Sequence, residues 1–339
     1  MKKAAAVILL LLLVGSATLV FVYYKIEAEM HKPQGNLPAQ LYVDRGDSAI
    51  GLTYKLINEK QLQLDVNWFK IWSRLNAEKL ALKTGLYEIE PQSSYYQLLK
   101  KIQTGNTKKF TVTLIEGLRV KDWFAQISQI DYLEQDLGDF EQLYERLIEG
   151  SGFCENEHRS VEGCLLADTY QFEYQSSAFE LLLRARNMMQ NYVDDQWQQR
   201  FVDVPLANTY EALIMASIIE KETAVAAERD VIAGVFANRL HDGMRLQTDP
   251  TVIYGIGDAF DGNITRKHLR TLTPYNTYRI DGLPITPIAM PSRASIDAAL
   301  RPASTDYVYF VSKGDGRHQF SETLEQHNKA VRKYQLGLD

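Results

Sequence analysis

Cysteine is scarce in this chain, two among 339 residues, and the six histidines form no HExxH and no close pairing with either cysteine. A metal site therefore has no donor pattern to rest on, and no cofactor is expected. GxSxG is missing, which removes the nucleophile elbow of a serine hydrolase. Gly255-Ile256-Gly257 begins like a dinucleotide fingerprint, but Phe260 stands where the third glycine belongs and the acidic follow-up is absent. No run of Lys and Arg interleaved with aromatics occurs, and the net charge is −6, so nucleic acid is excluded as a partner.

Charge is missing altogether from Ala4 to Tyr24. As a helix this run would span about 31 Å, close to the hydrocarbon thickness of a bilayer, and it reads as a transmembrane anchor. The only small-residue patch, Gly15-Ser16-Ala17, is followed by more apolar residues through Tyr24, a poor setting for signal cleavage, and no cysteine follows to make a lipoprotein. Lys2 and Lys3 ahead of the run favour a cytoplasmic N-terminus, although Lys25 weakens the asymmetry. The expectation is a single-pass protein of the cell inner membrane with its bulk in the periplasm.

What is present supports ordinary folded domains. Hydrophobic residues make up 45% of the chain, enough for a core, and the length suits two domains. Nineteen tyrosines suit sugar stacking and equally suit half-buried core positions. A polar connector with Pro33, Gly35 and Pro38 separates the anchor from a strand and turn at 41–48. Helical patterns at 50–59 and 68–76 and a second strand at 83–89 follow. From Thr111 a strand and a helix start open a larger part, which closes with strands at 307–311 and 317–320 and a helix from Thr323, spaced from Gln326 as in a capping box. Cys154 and Cys164 lie ten apart, and outside the cytoplasm a short disulfide loop is the expected pairing, with two buried thiols as the alternative.

The segment from Glu211 to about Glu228 has no Gly or Pro and reads as one helix of about five turns. At about 100° per residue, Leu213, Ala216, Ser217, Thr223, Ala224 and Ala227 share a face with Glu220, whereas Glu222, Val225 and Arg229 point the other way. A carboxyl on a small, apolar face is partly desolvated, which suits a general acid. The same pattern also fits a half-exposed or ion-paired Glu.

Ala216-Ser-Ile-Ile-Glu-Lys-Glu-Thr223, Asn238-Arg-Leu240 and Met244-Arg-Leu-Gln-Thr-Asp-Pro-Thr-Val-Ile-Tyr-Gly255 resemble the MltG (YceG-like) endolytic murein transglycosylases. So do Tyr275-Asn-Thr-Tyr278, Gly282-Leu-Pro284, Ile288-Ala-Met-Pro291 and Tyr307-Val-Tyr-Phe-Val311. Departures are Ala167 for the proline before Asp168-Thr-Tyr170, Ile285 and Thr286 within the Gly-Leu-Pro segment, and Ser292 where relatives carry Gly. The strand, helix, helix, strand order after the anchor resembles a LysM module. The implied architecture is α+β: anchor 1–25, linker 26–38, a small LysM-like subdomain 39–106 and a mixed α+β lytic transglycosylase domain 107–339.

The resemblance implies that Glu220 protonates the glycosidic oxygen between N-acetylmuramate and N-acetylglucosamine and then deprotonates the muramate 6-hydroxyl, leaving a 1,6-anhydro end. Ser217, Gln247, Thr248, Asp249, Tyr254 and Asn276 are the expected substrate-binding residues, although Asp249-Pro250-Thr251 also fits a plain helix start. Peptidoglycan strands would be the substrate and penicillin-binding synthases the neighbours. Two alternatives are a hydrolytic muramidase with Asp249 as second carboxylate and a membrane-anchored glycan-binding scaffold without turnover.

Overall fold

A computed structural model describes residues 2–338, and the chain divides into two units: Met1–Phe110 with Tyr132–Glu134 and Gln171–Ser176, and the remainder. The first holds α1 (Lys2–Met30), β1 (Gln40–Val43), α2 (Ala49–Asn58), α3 (Val66–Leu75), β2 (Gly85–Glu88) and α4 (Tyr95–Thr104). Strands β1 and β2 pair antiparallel, Gln40 opposite Glu88 and Val43 opposite Gly85. The helices start where side chains can cap them: Ser48 accepts from Gly51 N, Asp65 from Asn67 N, and Ser94 and Gln97 form a reciprocal capping box. Gly105, at φ 74°, closes α4 in the left-handed region.

The apolar part of α1 is exposed along Val7–Val14, and the helix is long and apolar enough to cross a membrane, with mean hydropathy 2.8. Its last turns do something else. Ile26 and Met30 are buried in one core with Leu56, Phe69, Trp72 and Tyr95, so the helix runs past residue 25. Within the expected connector, Gln34 is also buried and accepts from Gln63 N. Hydropathy marks where a helix can sit in lipid; it does not see an amphipathic end that docks on a core.

The other elements are β3 (Lys109–Leu114), α5 (Val120–Ser128), β4 (Leu133–Glu134), α6 (Leu143–Leu147), β5 (Asp168–Glu173), β6 (Ser176–Ser177) and α7 (Ala178–Gln198). They continue with α8 (Thr209–Glu222), α9 (Arg229–His241), α10 (Asp249–Ile256), α11 (Arg266–Arg270), α12 (Arg293–Leu300), β7 (Tyr309–Ser312), β8 (His318–Ser321) and α13 (Leu324–Gln335). β3 pairs with β5, β4 with β6, and β7 antiparallel with β8. The architecture is mixed α+β. Cys154 and Cys164 form a disulfide, their Cα atoms 6.1 Å apart.

Helix α8 is the centre of the second unit, with α7, α9, α10 and α12 packed on it. Asn208 caps its start by accepting from Glu211 N at 2.9 Å. Ala212 through Ile219 are all buried, so the middle of α8 has no solvent face, while Lys221 in its last turn is exposed. It also stops sooner than its composition suggests: Thr223 is extended, at φ −145° and ψ 135°, and its hydroxyl accepts from Val225 N. The expected five-turn helix is therefore two elements, and Ala224 and Ala227 do not belong to the helix that carries Glu220.

Candidate active site

The last turn of α8 carries two carboxylates with different surroundings. Glu220 is half-buried, and its Oε2 accepts three hydrogen bonds, from Ser292 N at 3.0 Å, from the Ser292 hydroxyl and from Ser295 Oγ at 2.6 Å. Ser292 is the N-cap of α12. Glu220 thus adds a negative charge and an acceptor where that helix has free N–H groups and a positive dipole end. The turn at Gly117 runs alongside, with Glu220 Cγ 3.9 Å from where a Gly117 Cβ would lie. Lys221 Nζ donates to Gly117 O at 3.1 Å, and Gly117 N donates to Met290 O at 2.8 Å.

Glu222 faces a different set of neighbours. The helical wheel turned it outward; in the fold it is partly buried, and the Thr248 hydroxyl donates to its Oε1. Burial raises its pKa above the ordinary carboxylate value. Asp249 adds to the rise, while the Thr248 hydrogen bond, His318 and Arg239 oppose it. The wheel places the two carboxylates on different sides, as found, but the side of Glu222 is also partly covered, by Thr248, while Lys221 between them is exposed. Glu222 lines a cleft of about 470 Å³ together with Arg239, Gln247, Asp249, Tyr278, His318 and His327. Tyr278 OH donates to Asp249 Oδ1 at 2.8 Å. Arg239, 6% exposed, gives its hydrogen bonds to the carbonyls of Val308, Arg245 and Leu246, so it is a fixed strut of the wall and forms no ion pair with Glu222.

The expected substrate-binding residues separate into three groups. Gln247 and Asp249 are exposed and line the Glu222 cleft. Ser217, Thr248 and Asn276 are 0, 2 and 1% exposed, and the protein itself uses their polar atoms. Ser217 Oγ donates to Ile214 O and accepts from Ile288 N. Thr248 stands at the N-cap position of α10, and its hydroxyl donates to Glu222 instead of capping that helix. Asn276 donates to the carbonyls of His268, Leu269 and Thr271 and accepts from Tyr278 N, building the loop that presents Tyr278. Tyr254 lies elsewhere, in a second cleft of about 560 Å³ with Arg119, Lys221 and Phe260. Its hydroxyl donates to Glu162 Oε2 at 3.1 Å. Glu162, 3% exposed, also accepts from Val120 N, and burial pushes it up to about 7.

Glu222 and Tyr278 were not picked out as site residues by sequence reasoning, although each sits in a quoted motif block; His318, on a strand near the C-terminus, lines the same cleft. The arrangement can hold a polar polymer along Gln247, Asp249 and Tyr278.

The model of the YceG-like family matches residues 41–333. An endolytic murein transglycosylase of Bacillus subtilis strain 168 is 32% identical, over 74% of this chain and 73% of that protein. One from Streptococcus pneumoniae serotype 2 is 27% identical over 74% of this chain and 50% of its own length, so this chain spans about half of that relative. The crystal structure of a yceG-like protein from Listeria monocytogenes superposes with a TM-score of 0.53 at 30% identity, covering 86% of this chain and 98% of that one. The chain belongs to the YceG-like family.

Proposed function

We propose that this protein is an endolytic murein transglycosylase whose acid–base group is Glu220. The observation that carries the assignment is how Glu220 is held: its Oε2 accepts from Ser292 N, the Ser292 hydroxyl and Ser295 Oγ, which fixes the carboxyl on the last turn of α8 beside the turn at Gly117, whereas Glu222 is held by the Thr248 hydroxyl on another side of that turn. Glu220, protonated, gives its proton to the oxygen between N-acetylmuramate C1 and N-acetylglucosamine as that bond breaks, and as carboxylate it takes the proton of the 6-hydroxyl. The muramate 6-hydroxyl closes on C1 and loses its proton, giving a 1,6-anhydro end without consuming water. Gln247, Asp249 and Tyr278 hold the strand. Helix α1 crosses the inner membrane with the N-terminus inside, in keeping with the two leading lysines, and keeps the enzyme near nascent strands and the penicillin-binding synthases that make them. The βααβ part of the first unit, with its antiparallel pair, is LysM-like and a candidate glycan-binding module.

The test compares Glu222→Gln with Glu220→Gln in the full chain in detergent, on nascent and mature strands. Gln keeps the shape and an acceptor for Ser292 and Ser295 but cannot deliver a proton, so Glu220→Gln should lose about 10² to 10⁴-fold in rate, while Glu222→Gln keeps most activity. The reverse ranking would move the role to Glu222. Asp249 sits in the cleft beside Glu222, which keeps a hydrolytic muramidase as the second reading. Hydrolysed ends, heavier by one water than anhydro ends, together with inactivity of Asp249→Asn, would establish it. No cleavage of any strand by the unmutated protein would mean a scaffold.

A further inference from the structure

We propose that the cleft at Lys221 and Arg119, separate from the cleft of Glu222, binds the acidic arm of the muramate whose bond is cut, with Lys221 as the specificity residue that takes its carboxylate. The proposal rests on the transglycosylase reading above and names which part of the substrate this cleft reads. The cleft adjoins the acid–base group: Gly117 and Lys221 both line it, and Glu220 Cγ lies 3.9 Å from where a Gly117 Cβ would stand. With φ at 74° the turn favours glycine, and no side chain projects there. Lys221 Nζ donates to Gly117 O at 3.1 Å, which fixes the amine and leaves N–H donors for a ligand. Among the described residues no carboxylate pairs with Lys221, whereas Arg119 is shared by Asp122 and Asp258.

The 6-hydroxyl that closes on C1 is present in both sugars of the strand, so the chemistry at C1 does not by itself tell muramate from N-acetylglucosamine. They differ in a lactyl ether on O3 of muramate, which ends either in its own carboxylate or in a short peptide that bears carboxylates. An enzyme that cuts after muramate has to bind that arm. The two clefts divide by chemistry in the same way. Gln247, Asp249 and Tyr278 in the cleft of Glu222 suit hydroxyls and acetamido groups. Leu118, Ile253, Phe260 and Ile288 give the other an apolar wall for the methyl groups of the arm, and Lys221 and Arg119 give it cations for the carboxylate. At about 560 Å³ its volume is that of a ligand pocket. Asp258, 78% exposed, pairs with both Arg119 and Lys121. Exposed pairs of this kind contribute little, so a ligand carboxylate can exchange with Asp258 at Arg119.

Binding is measured without turnover, by calorimetric titration of the full chain in detergent with N-acetylmuramoyl-L-alanyl-D-glutamate, its diamide, N-acetylmuramate and N-acetylglucosamine. The free-carboxyl peptide should bind about tenfold more tightly than the diamide. Lys221→Gln, which keeps a donor for Gly117 O but no charge, should abolish that difference, and Lys221→Arg should retain it. Arg119→Gln should reduce it about threefold, and serves as the test should Lys221→Gln fold poorly by its thermal midpoint. The same preference, lost in Lys221→Gln, should appear in kcat/KM on strands with free and with amidated stems. A preference for N-acetylmuramate over N-acetylglucosamine that depends on Lys221 would identify the lactyl carboxylate as the bound group; dependence with the peptides alone would identify the stem. Equal affinity of the unmutated protein for the free and amidated peptides, or binding of neither, would overturn the proposal, as would a Lys221→Gln protein that keeps the full preference. Retained cleavage in Glu220→Gln is a separate result: it defeats the underlying reading and leaves these affinities standing.

Discussion

Replacing Glu220 by Ala should unfold the second unit at a markedly lower temperature as well as removing the chemistry. The carboxylate Oε2 accepts from Ser292 N, the Ser292 hydroxyl and Ser295 Oγ, and Ser295 is fully buried. Hydrogen bonds to a charged group contribute about 1.5 to 3 kcal/mol each, and a buried donor left without a partner costs about 1 to 3 kcal/mol. Three bonds to one oxygen do not add fully. The Ser292 hydroxyl also has Ser295 Oγ at 3.3 Å as a substitute partner. The net loss for Glu220→Ala should be about 3 kcal/mol, which in a unit of this size lowers the midpoint by about 6 to 12 °C. Glu220→Gln keeps an oxygen for the same donors and should lose about 1 kcal/mol. Scanning calorimetry of the full chain in detergent gives the midpoints, and cleavage at 25 °C gives the activity. An Ala variant within 2 °C of the unmutated protein would refute the clamp, and a folded Glu220→Gln protein that keeps most of its activity would show that Glu220 does not do the chemistry.

Two further outcomes follow from groups away from the cleft. Burial raises Glu162 from 4.5 to about 7, so the folded protein keeps a proton that the unfolded chain has lost. That contribution to stability is complete below about 4.5 and is lost as pH rises toward 7, on the order of 3 kcal/mol. Glu162→Gln should flatten this dependence, and an unmutated-minus-variant difference that is the same at pH 5 and pH 7.5 would contradict it. The Cys154–Cys164 disulfide closes a ten-residue separation, and replacing both residues by Ser should cost about 2 to 3 kcal/mol. Protein recovered from envelopes should resist thiol labelling until reduced. Full labelling of both cysteines without reductant would count against the linkage and against placing this unit outside the cytoplasm.

How much of this was legible depended on whether the deciding interaction was local. The long apolar helix, able to cross a membrane by length and composition, follows from one uncharged run. The caps at Ser48, Asp65 and Asn208 follow from residues three or fewer apart in sequence. The capping-box spacing at Thr323 was half right: Thr323 accepts from Gln326 N, but Gln326 Oε1 takes Glu322 N instead of closing the box. The end of α8 has no Gly or Pro to mark it, because Thr223 leaves the helix through its own hydroxyl bond to Val225 N.

The site was legible as a set of motif blocks and not as an arrangement. Ser217, Thr248 and Asn276 looked like ligand-facing polar residues because they sit in those blocks, yet a buried loop must satisfy its own carbonyls and amides first, and these side chains do so. Glu220 and Glu222 are two residues apart, so a helix turns them to different sides, and the wheel ranks them only if one side is known to be outside. For a helix buried from Ala212 to Ile219 that knowledge comes from its neighbours. Ser292 and Ser295, more than seventy positions later, hold Glu220, while Thr248 holds Glu222 beside Asp249. Long-range partners set the surroundings of each of two equivalent letters.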